Sequence, residues 1–277
     1  MIIAFFGPET TYTHQAALKQ FGENNKLKSN TFVAKRTIPE VFESVEKGEA
    51  EFGVVPIENS TEGSVAHTLD SFVDSNLKII AEIVTPIQHC LLSNSKVSEI
   101  TKIYSHPQPL GQCKKYLRKN FPNAELIEAL STANAAMLAS KEKNSAAIAS
   151  ELAGKKFGVK VVEKEINDEK NNLTRFFVIG NDCTKATGKD KTTLLFSTKN
   201  VSGALYNVLG VIAKHKLNMT KIESRPSKKK TWEVVFFVEI EGHENDINVS
   251  KALKEMNEYC EVVKVLGSYP AKTKISD

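Results

Sequence analysis

The chain predicts two α/β units in series: a first unit built on parallel strands and a second of ferredoxin-like βαββαβ order. Short apolar runs alternate with helix-period segments from residue 2 to residue 180, the pattern of parallel strands joined by helical crossovers. A polar stretch, Asn181–Lys191, with Gly188 and several lysines, then reads as a linker. Beyond it the order becomes strand, helix, strand, strand, helix, strand.

Each element has its own signal. Ile2–Phe6 is an apolar strand ended by Gly7-Pro8. Thr37-Ile38-Pro39-Glu40 is a capping box with proline in the first turn, and Ile38, Val41, Phe42 and Val45 follow on one helix face. Phe52–Ile57 is the next strand, and Ser64 is placed to cap a helix carrying Leu69, Phe72 and Val73. Leu77–Ile87 is a long β-rich run suited to passing between two lobes. Lys102–Tyr104 is a short strand, Pro107 opens a helix through Leu117, and Glu125–Glu128 is another strand. Ser131 or Thr132 caps an alanine-rich helix, Ala146–Ala149 is a strand, and Phe176–Gly180 is a strand returning to the first lobe. In the second unit Thr193–Ser197 is a strand, and Ser202 caps a helix with Leu205, Val208, Leu209 and Ile212 on one face. Leu217–Glu223 follows, then the alternating Trp232, Val234, Phe236, Val238 and Ile240 of a half-buried strand. Val249, Leu253 and Met256 mark a second helix and Val262–Leu266 a last strand.

Composition narrows the function. The net charge of +4 over 277 residues is mild and dispersed, which suits small anionic ligands rather than nucleic acid. Lys228-Lys229-Lys230 reads as a solvated hairpin tip. Cys90, Cys113, Cys183 and Cys260 show no CxxC pairing and no histidine at ligand spacing, so neither a metal site nor a disulfide framework is expected. The apolar start lacks a basic flank and reads as a strand, and no apolar run is long enough to span a bilayer. A cytoplasmic chain without membrane contact or cofactor is expected.

Four polar segments follow strands in the first unit: Gly7–His14, Pro56–Ser64, Ser105–Gln108 with Gln112 one turn on, and Ser131-Thr132-Ala133. In open α/β sheets the carboxyl ends of strands face the ligand crevice, and helix N-termini there favour anions. A fifth segment, Asn172–Phe176, opens directly onto an apolar strand. The groups offered are hydroxyls, amides and one arginine, with no GxSxG, GxxxxGK[ST] or GxGxxG motif. Such a set suits positioning and polarisation rather than a strong nucleophile. Each signal also has a plain structural reading. Thr11, Thr13, Ser64, Ser131 and Thr132 are ordinary N-cap types. His106 before proline is a turn residue, Asn59 a loop residue, Glu58 and Glu62 solvated acids, and Arg175 an ion-pair partner. On a regular strand Thr174 and Phe176 share a face and Arg175 lies on the other. Thr174 and Arg175 therefore share a site only if the strand begins after them or Arg175 acts at its edge.

Taken together these segments resemble monofunctional prephenate dehydratase with a C-terminal ACT domain. The matching stretches are Gly7–His14, Gly53–Ser60 through Gly63-Ser64-Val65, Tyr104–Gln108 with Gln112-Cys113, Ser131–Ala133, Ala146–Ser150 and Asn172–Phe176. Gly203-Ala204-Leu205 and Glu223-Ser224-Arg225-Pro226 carry the resemblance of the tail. The resemblance implies a catalytic domain over 1–182, two-lobed like type II periplasmic binding proteins, with lobes of about 1–76 plus 170–182 and 77–169, then an ACT domain over 190–270. It implies decarboxylative dehydration of prephenate to phenylpyruvate, feedback by L-phenylalanine, and a homodimer or homotetramer. Arogenate dehydratase and a non-catalytic amino-acid-sensing protein are the alternatives.

By resemblance Thr174 donates to the leaving hydroxyl, and Arg175 with Thr11, Ser131 and Thr132 holds carboxylates. Asn59, Ser60, Gln108 and Gln112 orient the substrate, His106 and Asn172 complete the binding set, and Phe176 forms an apolar wall. The effector set is Asn200, Ser202, Gly203, Ala204 and Leu205, then Leu217, Asn218 and Met219, then Glu223, Ser224, Arg225 and Pro226. Two positions depart from the family pattern. Thr10 replaces glycine in the turn after the first strand, which is costly if φ is positive there. Ser202 replaces proline before Gly203 and is the better N-cap.

Overall fold

The apolar runs at the start of the chain become the centre of a mixed sheet in the computed structural model, which describes residues 1–22, 30–227 and 234–272. The first lobe holds β1 (Ile2–Phe6), α1 (Tyr12–Phe21), β2 (Thr31–Lys35), α2 (Ile38–Glu46), β3 (Phe52–Asn59), β4 (Gly63–Ser64), α3 (Ala66–Asp74) and β5 (Lys78–Pro86). The second holds β6 (Cys90–Leu92), β7 (Lys102–Ser105), α4 (Pro107–Gln112), α5 (Lys114–Asn120), β8 (Glu125–Glu128), α6 (Thr132–Lys141), β9 (Ser145–Ala149), α7 (Glu151–Phe157) and β10 (Val161–Glu163). The chain then returns as β11 (Leu173–Gly180), inserted between β3 and β5 in the order β2-β1-β3-β11-β5. The second sheet runs β10-β6-β9-β7-β8.

The run Leu77–Ile87 is mostly not a passage between lobes. Lys78–Pro86 pairs antiparallel with β11 throughout, and Ile79 and Ile83 are buried against the first lobe. The crossing is confined to Ile87–His89, so the lobe boundary falls about ten residues later than expected. Ser64 caps no helix either: it sits in β4, and Val65 is the N-cap position of α3, with no side-chain bond.

The C-terminal domain comprises β12 (Asp190–Thr198), α8 (Ala204–Lys214), β13 (Met219–Pro226), β14 (Val234–Glu241), α9 (Ile247–Met256) and β15 (Cys260–Pro270), the βαββαβ order. Its sheet runs β13-β14-β12-β15. The N-cap of α8 is Gly203, at φ +76°, rather than Ser202, and no side chain caps it. One sheet face buries Phe196 and Val238 under Val208 of α8 and Met256 of α9. The other packs Leu195, Val235, Phe237 and Tyr269 against Val41, Phe72 and Phe177 of the first lobe. The strand expected to be half-buried is therefore covered on both faces. The adjacent apolar set Val235 and Phe237 was the signal for this in the sequence. Trp232 and the triple lysine lie outside the described residues. The two sheets approach closely at Gly267, at φ +152°, where a Cβ would stand 2.3 Å from the Ile79 carbonyl oxygen.

Arg175 sits at this junction. The predicted strand begins earlier than Phe176, at Leu173, so Thr174, Arg175 and Phe176 alternate regularly and Arg175 points away from its neighbours. Its guanidinium makes two bonds to Glu239 of β14, at 2.6 and 2.5 Å, and reaches Glu58 at 3.0 Å and Glu82 at 3.2 Å. Lys221 pairs with Glu58 at 2.7 Å and Lys191 with Glu82 at 3.1 Å. Burial works against the Arg175 charge, but the bonds and charge of Glu239 outweigh it and raise its pKa further. Burial likewise pushes the Glu58 carboxyl up, and Lys221 and Arg175 more than offset this, holding it below its ordinary value. Arg175→Met removes the cation against which Glu239, 3% exposed, is buried. Unpairing a buried charge typically costs about 3–5 kcal/mol, so the variant should show a loss of that order in urea unfolding. An unchanged midpoint would refute this role.

Candidate active site

The cleft between the lobes is built from strand ends. β1 leads into α1, β3 into the turn before β4, β7 into α4 and β8 into α6, so all four predicted polar segments reach one space. The inner cleft measures ≈ 520 Å³ and is lined by Thr11, Asn59, His106, Gln108, Gln112, Ser131, Thr132, Thr174 and Phe176 among others. An outer vestibule of ≈ 750 Å³ shares His106, Gln108 and Gln112 and adds Glu62, Lys115 and Asn172.

The N-cap and cleft readings hold together for two hydroxyls. Thr11 caps α1, accepting from the His14 N–H, and Ser131 caps α6, accepting from the Asn134 N–H at 3.0 Å. Each cap therefore brings a helix N-terminus to the cleft, where its partial positive charge favours an anion. His106 is the N-cap of α4 and also lines the cleft. Ser60 behaves differently: it is exposed, and its hydroxyl accepts from the Leu173 N–H at 2.9 Å, so it ties the turn to β11 instead of lining the cleft. Arg175 is absent from the lining because the strand turns it toward the C-terminal domain.

The centre of the site is the pair Asn59 and Thr174, each 9% exposed and directly opposite in the β3–β11 register. Asn59 Oδ1 accepts from the backbone N–H groups of Thr61 and Glu62 at 2.9 and 3.0 Å. That fixes the amide orientation, so Nδ2 donates to Thr174 Oγ1 at 2.8 Å and to Asn172 Oδ1 at 2.7 Å. A hydroxyl carries one proton and two lone pairs. Because Thr174 accepts from Asn59, its own proton is left to donate into the cleft. Phe176, 1% exposed, lies on the same strand face.

Arg36, His67 and His89 line the cleft outside the predicted segments, and Tyr12 lies within one of them without having been assigned a role. Arg36 is the only lysine or arginine among the inner lining residues, which include no Asp, Glu or Cys. It precedes a capping box, and nothing in periodicity marks it. His89 follows an apolar run and is 1% exposed. Burial lowers its pKa, and its bond with Gln112 only partly opposes this, so the ring is neutral at pH 7.

The turn at Thr10 keeps positive φ, +70°, despite the side chain. His14 Nδ1 accepts from the Thr10 N–H at 2.9 Å, and the Ser150 hydroxyl donates to the Thr10 carbonyl at 3.0 Å. The second bond links the lobes. The conformation is held from outside the residue, and Thr11 keeps its place.

The effector residues divide. β12 and β13 both pair antiparallel with β14 and so run the same way. Ser224, Arg225 and Pro226 therefore lie toward the sheet end holding Asn200, Ser202, Gly203, Ala204 and Leu205, whereas Leu217, Asn218 and Met219 lie toward the opposite end. Glu223 accepts from Ser64 at 3.0 Å and Arg225 pairs with Asp70 at 3.2 Å, so both face the first lobe.

A family model described as prephenate dehydratase matches residues 3–184. The chain belongs to the prephenate dehydratase family. A second model, the ACT domain, matches residues 192–258. A bifunctional chorismate mutase/prephenate dehydratase of Aquifex aeolicus is 46% identical over 269 residues, covering 97% of this chain and 73% of that protein. A prephenate dehydratase of Arthrobacter aurescens in complex with L-Phe has a TM-score of 0.89 at 31% identity, with 98% of this chain and 90% of that one covered. GqqA, described as a novel type of quorum quenching acylases, has a TM-score of 0.87 at 28% identity over 99% of both chains. The family is one of lyases. Among the described residues no group of His, Cys, Asp or Glu could hold a metal ion, and no helix is long and apolar enough to cross a membrane.

Asn59→Asp tests the proton assignment. A carboxylate facing Thr174 is an acceptor, so it would draw the threonine proton inward. Removing one such donor from a reacting site is worth about 10²–10³ in kcat, and a loss of that size is expected in steady-state turnover with the fold retained. Full activity would show that the Thr174 proton has another orientation.

Proposed function

We propose that this enzyme converts prephenate to phenylpyruvate, carbon dioxide and water, and that L-phenylalanine inhibits it through the ACT domain. The observation that carries the reading is the Thr174 hydroxyl, which accepts from Asn59 and lines the cleft beside the buried Phe176 ring. In the reaction the bond from the ring to its carboxylate breaks and carbon dioxide leaves. That electron pair enters the ring, the double bonds shift, and the opposite carbon–oxygen bond breaks as the ring becomes aromatic. The departing hydroxide takes a proton and leaves as water. Thr174 lowers this barrier by hydrogen bonding to the oxygen as its charge grows. The free threonine is a weak acid, so the proton arrives from solvent while Thr174 stabilises the charge. Phe176 supplies an apolar wall that favours loss of the ring carboxylate's charge.

The lining suits a dianion. Arg36 and the N-termini of α1 and α6 offer positive potential, and no inner lining residue is acidic. Arogenate carries an ammonium in place of the keto group, and the inner lining holds no carboxylate to pair with it. Prephenate is therefore the preferred substrate of the two, to be read as the ratio of kcat/KM values.

The effector reading rests on the ACT match and on the Arthrobacter relative, solved with L-Phe. Val201, Tyr206 and Ile222 are 64%, 78% and 43% exposed on the C-terminal domain, an apolar surface that fits self-association as a homodimer or homotetramer.

Purified enzyme with prephenate, followed by phenylpyruvate absorbance in alkali, tests the reading. Thr174→Ala should lower kcat by about 10²–10³, and undiminished turnover would sink the mechanism. Arg36→Ala should raise KM about tenfold or less, in line with one exposed charge-assisted contact of about 1 kcal/mol, while leaving kcat nearly unchanged. A fall in kcat without a change in KM would remove Arg36 from carboxylate binding.

A further inference from the structure

We infer that His89 is a positioning residue for this reaction: its ring, at the crossing between the lobes, holds Gln112 in the orientation that supports the amides presenting the Thr174 hydroxyl. The inference rests on the reading of the cleft as a prephenate-converting site.

The hydrogen bonds form one continuous path. Asn59 Nδ2 donates to Asn172 Oδ1, and Asn172 Nδ2 donates to Gln112 Oε1 at 3.1 Å. Gln112 Nε2 donates to Glu62 at 3.4 Å, which leaves Oε1 directed at Asn172 and at His89 Nε2, 2.8 Å away. Two donors therefore meet at one oxygen, and His89 Nε2 must carry a proton. The neutral ring then has a lone pair on Nδ1, and the Tyr12 hydroxyl, 2.8 Å from it and 3.0 Å from the Gln88 carbonyl, divides its one proton between these two acceptors. Tyr12 belongs to α1 of the first lobe and Gln112 to α4 of the second. The ring is thus gripped from both lobes.

The backbone of His89 is held as firmly. Its N–H donates to Asn167 Oδ1 at 2.7 Å, and its carbonyl accepts from the Ile166 N–H at 3.0 Å. Both ring nitrogens are engaged inside the protein, so the ring is not free to act as acid or base toward a ligand although it lines the cleft. With its proton on Nε2 the ring stabilises the Gln112 orientation that the chain from Asn59 through Asn172 requires. Were the Gln112 amide inverted, its NH2 would face the NH2 of Asn172, which would have to invert in turn and present its own NH2 to Asn59. Asn59 is pinned by the Thr61 and Glu62 amides and has no alternative, so the contact would be lost. An unmade bond of this kind between buried groups costs more than a made one contributes.

Two variants separate this role from simple filling of the core. An Asn side chain reaches the position of Nδ1, toward Tyr12, and a Gln side chain reaches that of Nε2, toward Gln112. The assay uses the full chain with prephenate at saturating and limiting concentrations, and thermal melting of each variant. His89→Asn should lower kcat about tenfold, the kinetic equivalent of one such hydrogen bond, with KM changed less than about threefold. His89→Gln should keep kcat within about threefold of the parent. In a Gln112→Leu background His89→Asn should lower kcat no further. Equal kcat values for the two variants, or a full multiplication of the His89 and Gln112 effects, would overturn the inference. Failure of the unmodified protein to turn over prephenate would instead overturn the functional reading on which it rests.

Discussion

The pairing of β3 with β11 is the constraint on which both the site and the domain arrangement depend. In that register Thr174 stands opposite Asn59 and Arg175 opposite Glu58. Side chains alternate along a strand, so one pair must face the cleft and the other the C-terminal sheet. Directly after it the register shifts between Arg175 and Phe176, yet Phe176 still falls on the Thr174 side. A slip of one residue would put the ion pair in the cleft and the hydroxyl against Glu239. The apolar residues Phe177 and Ile179, buried in the core shared with the C-terminal domain, oppose such a slip.

Much of this was legible in the sequence, and the failures have physical causes. The alternation of strands and helices marked the parallel elements, and the polar segments after them converged on one cleft because they follow parallel strands within each of the two sheets. The strand rule also stated the alternatives for Arg175, although only the observed start of β11 at Leu173 decides between them. Leu77–Ile87 misled because an apolar β-rich run looks the same whether it crosses between lobes or lies in a sheet; pairing with a strand about a hundred residues later settles it. His89 and Arg36 were missed for another reason. Each is a single polar residue whose significance comes from partners distant in the chain, and local pattern carries no trace of that. Ser202 was over-read: a good capping residue was present, but the left-handed Gly203 moved the helix start past it.

The electrostatic layout separates two tasks. Five carboxylate and cationic groups of the first lobe and C-terminal domain, Glu58, Glu82, Glu239, Lys191 and Lys221, gather round Arg175 on the side away from the ligand. The inner cleft, by contrast, holds neutral hydroxyls and amides, three histidines and one arginine. A strong buried ion pair inside the cleft would compete with a dianion for the same donors. Placed behind the strand, it anchors the backbone that carries Thr174 without putting a rival charge before the proposed substrate.

Fold alone does not determine the chemistry. A quorum-quenching acylase superposes over nearly the whole chain with a TM-score of 0.87, so the same frame serves a protein described by another activity. Chemistry is set by the site carried on the frame, and there the direction of a few protons matters. Here the Thr61 and Glu62 amides dictate how Asn59 is turned, and Asn59 dictates which way Thr174 donates. A hydroxyl held as an acceptor from behind is a donor in front. That supports a leaving oxygen, whereas attack on an acyl carbon requires the opposite arrangement, in which the hydroxyl gives its proton to a base behind it. With Asn59 donating to Thr174, the proposed role of this threonine is to assist departure rather than attack.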